Sequence, residues 1–224
     1  IGYGTKNMTK SAAMSREDAV NSLEAGINLV IDAKSRGVDL IATGDMGIGN
    51  TTPSTAVFAA LSGIKAKDLT GRGTGLDDAA IAHKVAVIDK ALMLHRSGKN
   101  DPIAILSKLG GYEIGGIAGL ILGAAYCHMP VLLDGYISTA GALLAVSMAP
   151  ACKDYVIAAH VSHERAHKKM LEYLGLRPLL ELDLRLGEGT GAALAMPLVD
   201  AASIMLRDML TFEEAGVNPS CENL

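Results

Sequence analysis

The sequence predicts an α/β fold: a three-layer αβα arrangement built on a mostly parallel, Rossmann-like sheet. Two observations carry the prediction. The order strand, loop, helix recurs three times along the 224 residues, and repeated units of that kind pair their strands in parallel. Half of the residues are hydrophobic, yet there is no tryptophan and only two phenylalanines. Small and branched aliphatic side chains must therefore fill the interior, which suits helices lying close on a buried parallel sheet. A chain of this length can bury a large core, and residues 1–224 are expected to form one domain.

The elements follow in order. Ser15 with Asp18 reads as an N-terminal cap, Ala19, Leu23, Ile27, Val30 and Ile31 recur at helical spacing, and Gly37 is placed to end the helix. A helix is predicted from about 16 to 36. Val38 to Ala42 is a β-prone run closed by Gly44, and Thr52-Pro53 supplies a cap and a first-turn proline for the next helix. Asp77 to Leu94 is a helical stretch. Pro130 to Leu133 reads as a second strand leading through Asp134-Gly135 to a helix from Ser138 or Thr139. Tyr155 to Ala158 reads as a third, leading to Ser162, and a last helix starts near Ala192. In such sheets ligands gather where loops leave the carboxyl ends of the strands.

Bulk properties narrow the partners. The formal charge is −4 and the basic residues are dispersed, so nothing attracts nucleic acid or an anionic membrane broadly; small molecules and other protein chains are the expected partners. Cys127, Cys152 and Cys221 are too few and too scattered for a disulfide framework or a thiolate metal site, which fits a reducing, cytoplasmic setting. The apolar stretches Ile117 to Ala125 and Ala140 to Ala149 fall short of the roughly 20 residues of a membrane helix. The start at Ile1, with neither initiator methionine nor signal-peptide pattern, reads as that of a fragment or trimmed chain.

Several segments carry residues suited to chemistry. Gly44-Asp45-Met46-Gly47-Ile48-Gly49-Asn50-Thr51-Thr52 runs into a helix whose free amide groups and positive dipole end suit a phosphate. It lacks the Gly-Lys-Ser/Thr ending of a nucleoside-triphosphate loop, so an anion cradle and a plain turn both fit. Gly71-Arg72-Gly73-Thr74-Gly75 has the same two readings. Lys84 is either a point charge for a phosphate or a surface lysine with a solvated head.

Val131 to Thr139 partly resembles the phosphate loop of transferases that use phosphoribosyl pyrophosphate. Gly135 stands where that pattern has a second acid, and Asp134 can equally shape the turn. His163-Glu164-Arg165-Ala166-His167 has the histidine spacing of zinc hydrolases. Arg165 intervenes and no third ligand has recognisable spacing, so a polar first helical turn competes with a zinc site. Glu188 stands between two glycines where backbone approaches a ligand closely or takes positive φ, and apolar neighbours such as Leu186 would desolvate its carboxylate and raise its pKa, which suits a general base. A solvated or cap-forming glutamate fits the composition equally well.

Taken together, the Gly44 to Thr52 loop, Leu109-Gly110-Gly111-Tyr112-Glu113-Ile114, Leu133-Asp134-Gly135, Ser162-His163-Glu164 and Leu186-Gly187-Glu188-Gly189-Thr190-Gly191 resemble the nicotinate-nucleotide:dimethylbenzimidazole phosphoribosyltransferase family. The likeness runs from about Thr5 to Val217, and Phe212-Glu213-Glu214-Ala215-Gly216-Val217 looks like that family's C-terminal end. The resemblance implies transfer of the phosphoribosyl group of nicotinate mononucleotide to 5,6-dimethylbenzimidazole, giving α-ribazole 5'-phosphate and nicotinate for the lower ligand of cobalamin. It implies a homodimer, no cofactor and no metal. It implies Glu188 as catalytic base, Leu186 lining the benzimidazole pocket, and Asp45, Gly47, Gly73, Lys84 and Ser162 contacting the nucleotide.

Two departures bear on that transfer. The family pattern has glutamate where this chain has Asp45, an arm one carbon shorter. Family members are also longer at the N-terminus, where part of the benzimidazole pocket originates. A nucleotide-binding subunit, or a related transferase with a phenolic or other benzimidazole acceptor, is the alternative; a zinc hydrolase acting through His163, Glu164 and His167 is the remote one.

Overall fold

The first helix forms where its signals are local. In the computed structural model, which describes residues 1–71, 77–96 and 100–217, α1 spans Arg16–Ser35. Ser15 Oγ accepts the Asp18 N–H at 2.9 Å while Asp18 Oδ2 accepts the Ser15 N–H at 3.1 Å, a capping box that satisfies two otherwise orphaned donors. Gly37, at φ 83°, closes the other end as expected. The elements that follow are β1 (Ile41–Ala42), α2 (Thr51–Ser62), α3 (Ala66–Leu69), α4 (Asp78–His95), α5 (Pro102–Leu109), α6 (Tyr112–Tyr126), β2 (Val131–Leu133), α7 (Tyr136–Met148), a 3₁₀ turn (Pro150–Tyr155), β3 (Val156–Ala158), α8 (His167–Leu174) and α9 (Thr190–Asp208).

Several boundaries differ from the sequence expectation, α9 among them, which starts at Thr190 rather than near Ala192. β1 is only two residues long, because the Val38 N–H bonds to Ala33 O and so belongs to the end of α1. α2 starts at Thr51, with Asn50 rather than Thr52 before it. α7 starts at Tyr136 instead of Ser138 or Thr139: Gly135 takes the N-cap position with no side-chain bond.

The described strands form one parallel sheet in the order β1-β2-β3, with Ile41 opposite Val131 and Val131 opposite Val156. Alternate side chains leave opposite faces. Val131, Leu133 and Val156 enter the large core made with α1, α2, α5, α6 and α7, whereas Leu132, Ala42 and Ile157 meet Ala192 and Ala195 of α9 on the other side. Helices on both faces make three layers, as predicted. Beyond that contact α9 leaves the body: residues 201–217 are all exposed, and Leu206 is 89% and Phe212 75% accessible. Among the described residues no helix is long and apolar enough to cross a membrane.

On the outer side of the large core, α1 and α6 cross backbone to backbone. A Cβ added to Gly119 would overlap the Leu23 carbonyl, and one on Gly26 would overlap that of Gly116. Gly119→Ala gains about 1 kcal/mol of helix propensity. Overpacking against main chain costs about 3 kcal/mol and wins. Urea unfolding of Gly119→Ala is therefore expected to show a net loss of about 2 kcal/mol; an unchanged midpoint contradicts the close crossing.

Candidate active site

The carboxyl ends of the three strands converge. Thr43 follows β1 and pairs its N–H with Leu132 O at 2.9 Å, while its Oγ1 accepts the Asp134 N–H at 3.0 Å. Asp134 follows β2, and His160 lies two residues past β3. All three are at most 3% exposed. The turn Gly187-Glu188-Gly189, which opens α9, lies over them, and of the sequence-predicted residues it brings Glu188 to Asp45.

The first glycine loop is held by its own aspartate. Asp45 Oδ1 accepts the Gly47 N–H at 2.7 Å and an Asn50 Nδ2 hydrogen at 2.9 Å, and the same Asn50 nitrogen reaches Glu113 Oε1 at 3.3 Å. Asn50 therefore ties Asp45 to the first turn of α6 and does not cap α2 with its side chain. Thr51, the first residue of α2, accepts a hydrogen bond from the Lys84 ammonium at 2.7 Å. Lys84 is thus half-buried at the positive end of a helix rather than on the surface. Burial lowers its pKa, and the Glu164 carboxylate partly opposes that shift. A cation and uncapped helix amides at one place can hold a phosphate.

Asp45 and Glu188 are neighbours through the backbone. The Glu188 N–H donates to Asp45 O at 2.9 Å, and a Cβ on Gly44 would come within 2.8 Å of Gly189 N. Only glycine at 44 lets the two loops touch. Gly187, Glu188 and Gly189 have φ of 80°, 60° and 83°, three successive left-handed residues. Glycine takes that conformation freely, but for Glu188 it costs about 1–2 kcal/mol, strain that the surrounding bonds must offset. The Glu188 side chain is exposed, and so is Leu186 at 64%. The expected desolvation of Glu188 by Leu186 is accordingly not found: both side chains are open to solvent.

Ser162 follows β3 in a different environment. Its N–H donates to His167 Nδ1 at 2.7 Å, and its buried Oγ has no hydrogen-bond partner among the described residues. Because His167 Nδ1 accepts, Nε2 carries the proton and donates to Thr139 Oγ1 at 2.8 Å; the threonine hydroxyl passes on to Gly135 O at 2.9 Å. Burial, then the nearby His160, pushes His167 down to about 3, so the ring is neutral.

The zinc reading does not survive this geometry. Residues 163–166 form a turn and α8 begins only at His167, so the two histidines do not share a helix face, and both ring nitrogens of His167 are already used. The polar first helical turn expected instead is likewise displaced, to His167 onward. Gly73 and the loop around it fall outside the described residues. Sequence reasoning gave no role to Asn50, Glu113 or His160, although Asn50 and Glu113 lie in the motifs that carry the resemblance.

Comparison with known proteins gives the family. A family model described as phosphoribosyltransferase (DBI_PRT) matches residues 1–217. The chain is 53% identical over 217 residues to the nicotinate-nucleotide--dimethylbenzimidazole phosphoribosyltransferase of Geotalea uraniireducens, covering 97% of this chain and 62% of that protein. It is 54% identical, with the same coverage, to the enzyme of that name from Geobacter metallireducens. The solved structure of CobT from Thermus thermophilus superposes with a TM-score of 0.90 at 46% identity, covering 97% of this chain and 65% of that one. The chain thus spans less than two thirds of the length of the relatives it matches.

The neutral His167 gives stability a pH dependence. In the unfolded chain the ring titrates near 6.5, in the folded protein near 3. Between these values only the unfolded state takes up the proton, so stability is full above pH 6.5 and falls as pH drops toward 3. The urea midpoint should decline across that window, and His167→Asn, whose Oδ1 can still accept from Ser162, should flatten the decline; an identical slope in the variant contradicts the assignment.

Proposed function

The chain belongs to the phosphoribosyltransferase family, and on that premise we propose that it transfers the phosphoribosyl group of nicotinate mononucleotide to 5,6-dimethylbenzimidazole. The products are α-ribazole 5'-phosphate and nicotinate. One observation carries the reading: the Asp45–Glu188 backbone bond sets an exposed glutamate beside the glycine loop that leads into α2, whose first residue, Thr51, accepts from Lys84 of α4.

The residues suit the chemistry. In nicotinate mononucleotide the leaving group is a pyridinium, which departs as a neutral ring and leaves no pyrophosphate charge to be offset. Lys84 and the start of α2 hold the phosphate, Gly47 allows the backbone to approach it, Gly73 is a further contact that the family resemblance implies, and Asp45 and the Ser162 hydroxyl, which has no partner among the described residues, contact the nucleotide. One benzimidazole nitrogen attacks the anomeric carbon from the face opposite the nicotinate while Glu188 takes the proton from the other nitrogen. In-line displacement turns the β-linked nucleotide into an α-linked product. Positioning and the base share the rate enhancement, with about 10² to 10⁴ assignable to the base.

Glu188 and Leu186 are open to solvent until the acceptor arrives, so the aromatic base itself supplies part of the desolvation that proton transfer needs. Assembly as a homodimer and a cytoplasmic setting belong to the same proposal; the exposed apolar residues of α9 provide surface for a contact between chains.

A second reading, nucleotide binding without transfer, is favoured by the bare Leu186 alone. Calorimetry on the intact protein separates the two. The transferase binds nicotinate mononucleotide and dimethylbenzimidazole; the binding module takes only the first. Glu188→Gln is expected to lower α-ribazole phosphate formation by about 10² or more while nicotinate mononucleotide binding persists. Undiminished turnover in that variant removes Glu188 from the base's role.

A further inference from the structure

Asp134 is buried at 2% exposure and lies under the turn that carries Glu188. Its Oδ2 accepts the Gly189 N–H at 3.0 Å and its Oδ1 accepts the Ala192 N–H at 3.1 Å. These amides flank Glu188 on the C-terminal side and are the cap and third positions of α9, reached from more than fifty residues earlier in the chain. A carboxylate there meets the positive end of a 19-residue helix. His160 Nε2 stands 3.3 Å from Oδ1, and a Cβ on Gly191 would overlap the His160 ring, so the imidazole is wedged between the carboxylate and α9. Thr43 Oγ1 fixes the backbone of Asp134 from the β1 side.

Glu188 therefore has one anchor on each side: its own N–H on Asp45 O, and the next residue's N–H on Asp134 Oδ2. Between them it holds a left-handed conformation that a non-glycine residue leaves when released. The geometry points to Asp134, seated by His160, as the positioning residue for the base Glu188: it never touches substrate and acts by holding the Gly187 to Gly189 turn. This rests on the transferase reading for the meaning of the base, but the clamp itself does not.

Asp134→Asn keeps the shape and one acceptor oxygen while setting an NH₂ group against an amide N–H. On the intact protein, kcat with nicotinate mononucleotide and dimethylbenzimidazole should fall by about 10², the cost of a small misplacement, while nucleotide affinity is retained. Adding Glu188→Gln to Asp134→Asn should cost no more than Glu188→Gln alone, because groups acting as a unit are not additive. Amide exchange over residues 184–195 should quicken by about tenfold or more, with α1 and α6 unchanged. Should Asp134→Asn fold poorly, His160→Asn withdraws the ring from the carboxylate and should shift kcat and exchange the same way by less. Wild-type protein without turnover sinks the transferase reading, and exchange then decides the clamp. Unaltered exchange over 184–195, or an unaltered kcat in an active enzyme, overturns the inference.

Discussion

A single buried carboxylate joins the sheet to the last helix. Removing Asp134 from water is costly unless its oxygens are met, and the two α9 amides meet one each while the His160 ring stands 3.3 Å from Oδ1. Burial pushes its pKa up, but His160 and the Ala192 and Gly189 amides outweigh burial and hold the group below the usual carboxylate range. It is therefore ionised, and an ionised group caps a helix more strongly than a neutral one. Three strand ends (Thr43, Asp134 and His160) thereby act on one three-residue turn. A side chain at Gly44 would keep the turn from descending onto them.

That arrangement explains how Glu188 is both ordered and open. A carboxylate packed into the protein would need its own partners, which would compete with a substrate. Here the surrounding main chain carries the hydrogen bonds and the side chain is left exposed. The proposed nucleotide end has the opposite design: Lys84 is half-buried against Thr51 and Ser162 Oγ is buried without a partner among the described residues, so polar groups are set in place beforehand. Preorganised polar groups on one side and an exposed carboxylate and an exposed leucine, Leu186, on the other suit a charged nucleotide and an aromatic acceptor.

How much of this could be read in the sequence depends on range. α1 was legible because its cap, its apolar repeat and its terminal glycine all lie within about one turn of the residues they act on. The strand–loop–helix order gave the parallel sheet, and the ordered motifs pointed to the residues that the fold gathers at the strand ends. Asp134 looked like a turn former because its partners, Gly189 and Ala192, lie 55 and 58 residues further on. Zinc stayed open as a remote alternative at His167 because spacing alone does not show that Ser162 and Thr139 occupy both its nitrogens. The desolvation expected around Glu188 failed for a related reason: adjacency of Leu186 in sequence does not turn its side chain inward when the backbone between them is left-handed.

Glu188 is assigned as the group that receives the acceptor's proton, on a turn held in place beforehand. A crystal structure of the protein with nicotinate mononucleotide and a slow benzimidazole analogue tests that assignment most directly. It predicts the phosphate at Lys84 and the start of α2, the analogue's N–H about 2.6–3.2 Å from the Glu188 carboxylate, and the Gly189 and Ala192 amides still on Asp134. An analogue whose ring nitrogen faces a different side chain, with Glu188 turned to solvent, contradicts it.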